Sequence, residues 1–154
     1  MHKDQLKEFI LKFLFRWWFA GAIYFFLVMG LNLQNPSNQI IFLGLGIGVV
    51  NTYIIQRFLD VKVTYDVKLQ PKLNKYPIMR LTINVIYGMF VAFVIAYTYQ
   101  FMNEGIKAIY HIGQSSRAPI PAEPILFGLF YAMYDSIFLF LIKIFTNKIK
   151  RKQS

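Results

Sequence analysis

The chain has 154 residues, of which 56% are hydrophobic and 18% aromatic, and it carries a net charge of +10. Soluble domains are already roughly 45–50% apolar, so the excess matters less than its clustering. The absence of cysteine excludes disulfides and thiolate metal sites.

In chain order, the opening "MHKDQLKEFILKF" places Leu6, Phe9, Ile10 and Phe13 at helical spacing, with lysine and acid between them. The spacing predicts an amphipathic helix that lies on the inner membrane surface and feeds a first crossing over Phe13–Leu31. That crossing is too long and too aromatic for a secretory signal, and no small-residue cleavage pattern follows it, so it is expected to be retained. Trp17 and Trp18 suit the membrane interface, where an amphipathic ring has a wet side and an apolar side. "NLQNPSNQ" (Asn32–Gln39) is turn chemistry and should join the first crossing tightly to a second over Ile40–Leu59. A cytoplasmic loop over residues 60–80 alternates apolar and polar residues around Val61–Tyr65, which suits a short extended hairpin that Pro71 and Pro77 limit. A third crossing over Leu81–Met102 leads into an outer loop over residues 103–123. There Ile106, Ile109, Tyr110 and Gly113 share a face and predict a short interfacial helix, and "SSRAPIPAEP" reads as a proline-restrained return. The fourth crossing is Pro124–Ile142. Each crossing approaches the roughly 20 apolar residues that span a hydrocarbon core about 30 Å thick.

The positive charge is unevenly placed. Lys3, Lys7, Lys12 and Arg16 precede or open the first crossing. Arg57, Lys62, Lys68, Lys72, Lys75 and Arg80 lie between the second and third, and Lys143, Lys148, Lys150, Arg151 and Lys152 follow the fourth. The two outer connections hold only Lys107 and Arg117. This is the positive-inside pattern of an even number of crossings with both termini cytoplasmic. The expected partner of that charge is the anionic headgroup layer at the cytoplasmic face, and no nucleic acid is expected, since no reading motif accompanies the charge. The predicted architecture is one all-α membrane domain over residues 1–154: four transmembrane helices arranged as two antiparallel hairpins, plus short interfacial amphipathic helices. Lys-, Asn- and Ile-rich usage with short loops points to a bacterial plasma membrane.

In hydrocarbon, helices associate through small residues and polar contacts rather than through apolar burial. The second crossing offers Gly44 and Gly48, followed by Asn51; the fourth offers Gly128 and Ala132, followed by Asp135 at the same spacing. The third carries Asn84, Gly88, Ala92 and Ala96 four apart, and the first carries Arg16 and Ala20. The match suggests a duplicated helical hairpin in parallel orientation. At a rise of 1.5 Å per residue, Asn51 lies about 9 Å above Arg57, Asp135 about 12 Å above Lys143, Asn84 about 6 Å above Arg80 and Tyr87 about 10 Å above it. Arg16 can reach inward from the surface along its long stem. The expectation is an intramembrane polar layer of Asp135, Asn51, Asn84, Arg16, Tyr87 and Tyr134, with Tyr131 nearby.

A carboxylate at that depth costs several kcal/mol unless it is paired, protonated or wetted. Asp135 is therefore structural glue that fixes helix register, a functional acid that binds a cation, proton or substrate, or a contact for a partner's membrane helix. Neither His2 nor His111 joins an acid cluster, no serine sits in a nucleophile elbow, and "GLGIG" lacks the setting of a nucleotide fingerprint. No catalytic residue, metal or cofactor is expected.

"RWWFAG" (Arg16–Gly21) resembles the Arg-aromatic-x-x-x-Gly opening of GtrA-like proteins, small four-helix proteins associated with moving lipid-linked sugars. The likeness covers these residues and the termini-inside plan. The basic-aromatic ends that those proteins show after their even-numbered helices are not clear in "NTYIIQRFLDVKVTYD", and the loop before the fourth crossing is long. On these grounds the chain is expected to be a non-catalytic accessory or regulatory subunit of a larger membrane complex. The alternative is a homo-oligomeric small transporter or channel for an ion, a proton or a lipid-linked substrate, using Asp135. The expected partner is accordingly another membrane protein or a second copy of the chain.

Overall fold

A computed structural model describes residues 3–55, 76–110 and 124–153, and every regular element among them is helical. Helix α1 runs over Lys3–Tyr24 and widens into a π-helical turn over Phe25–Met29. Helix α2, Pro36–Val50, likewise continues as a π-turn over Asn51–Ile55. Helices α3, Pro77–Tyr110, and α4, Pro124–Gln153, follow. Four helices are long and apolar enough to cross a membrane, as a multi-pass membrane protein requires: Lys3–Met29, Pro36–Ile54, Pro77–Gly105 and Pro124–Phe145.

The connection between α1 and α2 shows how local chemistry sets the ends. Asn32 takes a left-handed backbone, φ 51°, which asparagine tolerates better than most side chains. Asn35 then caps α2, its side chain accepting from Ser37 N at 2.9 Å, and Pro36 supplies a pre-set first helical residue. Helix α2 therefore starts at Pro36, inside the stretch expected to be turn. Helix α3 runs without a break to Tyr110, so residues 104–110 extend the third crossing instead of opening a separate helix. The extended hairpin expected around Val61–Tyr65, and residues 111–123 of the outer loop, lie outside the described residues.

The heaviest packing does not fall within the two expected hairpins. It joins α1 to α4 and α2 to α3, while α1–α2 and α3–α4 touch more sparingly. Both heavy seams are antiparallel: Gly44 meets Met89 while Gly48 meets Val85, and Gly21 meets Pro124 while Arg16 meets Asp135. Several approaches need glycine, Gly48 and Gly128 among them. A Cβ on Gly48 would sit 2.8 Å from Val85 Cα, and one on Gly128 would strike the Trp17 carbonyl oxygen and stand 3.1 Å from Gly21 N. The core between the seams is Leu43, Ile47, Val91, Ala92 and Ile95 with Tyr24, Phe127 and Tyr131. The Tyr24 and Phe127 rings pack at 5.0 Å, and Phe19 meets Tyr131 edge-on at 5.5 Å.

Candidate functional site

Asp135 sits in the middle third of the apolar part of α4, Pro124–Phe145, and is 2% exposed. Its Oδ2 lies 2.9 Å from Nε of Arg16 on α1, which is itself 8% exposed. Its Oδ1 accepts a hydrogen bond from the Tyr87 hydroxyl on α3. Three helices thus converge on one carboxylate, and both its oxygens are engaged. The neighbouring Ser136 hydroxyl donates to Ala132 O at 2.7 Å, four residues back in its own helix, and so needs nothing from the bundle.

One turn before Tyr87 on α3, Asn84 is fully buried. Its Nδ2 donates to Thr52 Oγ1 on α2 at 2.6 Å, and Thr52 in turn donates to Gly48 O at 2.8 Å. Asn51 is 1% exposed. Asn84 Oδ1 and Asn51 Nδ2 are buried and have no hydrogen-bond partner among the described residues. The residues of the expected polar layer therefore make their direct contacts in two groups: Arg16, Tyr87 and Asp135 on one, Asn84 and Thr52 on the other, with α3 serving both.

Tyr134 turns away from this acid: its hydroxyl pairs with Thr98 Oγ1 on α3 at 2.6 Å, and its ring stacks on Phe138 at 6.2 Å. Tyr131 is in the core against Phe19. The small residues sit where close approach is needed, Gly44 and Gly48 against α3, Gly88 against α2, Gly128 against α1, with Ala92 and Ala132 buried. Thr52, absent from the sequence-level layer, is the acceptor that holds Asn84; its signal was a hydroxyl four residues after Gly48 on a helix. Trp17 donates from Nε1 to Ile125 O on α4 at 2.9 Å, a second tie across the α1–α4 seam.

On the outer face of α1, two apolar grooves flank Trp18, which is 69% exposed. One, about 660 Å³, is bounded by Trp17, Gly21, Phe25 and the start of α4 at Pro124 and Ile125. The other, about 700 Å³, lies between α1 and the Phe42, Leu45 and Val49 face of α2. The second follows from the light packing of α1 on α2. Among the described residues, no three His, Cys, Asp or Glu side chains group as a metal site would need. No protein-family model matches the chain, and neither a curated protein nor a solved structure is significantly similar to it.

Proposed function

We propose that this chain is a small integral membrane protein that serves as a non-catalytic accessory or regulatory subunit, docking on a larger membrane complex. The observation that carries this reading is the engagement of both Asp135 oxygens, one by Arg16 and one by Tyr87, inside the bundle. A deep acid spent on holding three helices together is a clamp, and a clamp leaves the outer faces as the working surface. The grooves beside Trp18 give a partner helix side-chain-sized recesses on one such face. In this reading the helices cross as two hairpins. The basic ends and both termini lie on the cytoplasmic, anionic side of a bacterial plasma membrane.

A second reading, a homo-oligomeric transporter or channel, draws support from Asn51 Nδ2 and Asn84 Oδ1, polar capacity that the described residues leave unused at the level of the acid. Native mass spectrometry after gentle extraction separates the two. A fixed unlike partner at constant ratio is the expected result. A defined homo-oligomer with pH- or ion-dependent flux in liposomes would establish the transporter and remove the subunit reading.

A further inference from the structure

We propose that the α2–α3 seam holds a buried water molecule that accepts a hydrogen bond from Asn51 Nδ2 and donates one to Asn84 Oδ1. The two atoms are complementary, one a donor and one an acceptor, and neither has a partner among the described residues. Asn51 is 1% exposed and Asn84 0%. An unpaired amide is costly in any interior, and more so inside a bundle surrounded by hydrocarbon, where bulk water gives no relief.

Register brings the two side chains together. Gly44 and Gly48 meet α3, and Asn51, seven residues after Gly44, continues that face of α2. Asn84 already reaches Thr52, the residue next to Asn51. Helical side chains lean toward their own N-terminus, so across this antiparallel seam Asn51 and Asn84 lean toward each other. Thr52 Oγ1 adds a third partner: it donates to Gly48 O, accepts from Asn84 Nδ2, and keeps one lone pair. About three polar partners is the usual complement of a buried water. Room comes from the π-turn that begins at Asn51, where the backbone of α2 is wider than an α-helix.

The occupant is small because Gly44, Gly48 and Gly88 close the seam beside it. It is neutral because an anion would face the Asn84 lone pair and a cation the Asn51 N–H.

This site does not rest on the subunit reading, and a water held there would occupy the polar capacity on which the transporter reading draws. The test is NMR of the full chain, 15N-labelled at asparagine, in lipid nanodiscs. The Asn51 side-chain amide protons should show a cross-relaxation peak to a long-lived water, and Asn84→Leu should remove it. A peak to a protein proton in place of water, or resolved Asn51 signals with no water peak, overturns the proposal. Should Asn84→Leu fail to fold, the spectrum of the unmodified chain still decides. As a second measurement, Asn51→Leu and Asn84→Leu should each lower the unfolding temperature, and the double variant should recover most of the loss. Simple additivity of the two losses would also overturn it.

Discussion

Where α1 packs on α4, an arginine and an aspartate meet inside the bundle; where α2 packs on α3, two asparagines and a threonine take a level within one turn of α3. The frames are alike. Gly44, Gly48, Asn51 and Thr52 of α2 have the spacing of Gly128, Ala132, Asp135 and Ser136 of α4. The Thr52 and Ser136 hydroxyls both return to the carbonyl four residues back. Each seam also joins the second helix of one half of the chain to the first helix of the other. What differs is the charge. The ionic seam satisfies both carboxylate oxygens, so it is strong when whole and damaging when halved. The amide seam carries no charge to strand, but leaves a donor and an acceptor without partners among the described residues.

The largest expected effect separates the seams directly. Asp135→Leu strands the Arg16 cation in the interior and should cost about 3–5 kcal/mol, seen as loss of monodisperse protein in gel filtration and a lower unfolding temperature in detergent. The double change Arg16→Met with Asp135→Leu should recover most of that loss; a double variant as damaged as the single would remove the ionic seam from the comparison.

Next comes steric closure, which both seams share. Gly48→Ala and Gly128→Ala each drive a methyl group into opposing backbone and should cost about 1–3 kcal/mol. Gly105→Ala, with nothing within 4 Å of the new Cβ, should instead stabilise by about 0.5–1 kcal/mol through helix propensity. Thermal unfolding of the three variants reads the difference in sign.

Smaller effects resolve the ionic seam into its parts. Tyr87→Phe removes the hydroxyl that donates to Asp135 while Arg16 stays, and should cost about 1.5 kcal/mol, near the upper end for interhelical hydrogen bonds in membrane proteins. Trp17→Phe deletes only the tie to the Ile125 carbonyl and should cost about 0.6 kcal/mol in the same assay. If Trp17→Phe proved the more damaging of the two, the weight of the α1–α4 seam would lie in its tryptophan and not in its carboxylate.

The four long helices could be read from the sequence because a run of apolar residues without charge has few other meanings. Their ends could not. Helix α3 begins at Pro77 and runs to Tyr110, and α4 runs to Gln153, because nothing in those polar flanks stops a helix once it leaves the apolar run. The depth of Asp135 follows from counting residues to Lys143, and an arginine whose long stem reaches inward from the surface is a candidate to meet it. The choice of neighbour is another matter. No local signal says that Gly48 faces α3 and Gly128 faces α1. None says that Tyr87 turns to Asp135 while Tyr134 turns to Thr98. Those choices rest on how four helices cross, which depends on all of them at once. Thr52 was hidden for a simpler reason: a hydroxyl bonded back into its own helix looks inert until a side chain from elsewhere is found leaning on it.

The pairing of α1 with α4 also bears on biogenesis. A chain threaded into the bilayer from its N-terminus delivers Arg16 first and Asp135 only after two further helices have been made. In the interval the guanidinium lacks the Asp135 carboxylate that it meets in the finished bundle. Its long stem lets it stay near the headgroups until the fourth helix arrives and draws it into the bundle. Closing of the α1–α4 seam is then a late capture, and a chain stalled before α4 lacks the ionic tie altogether.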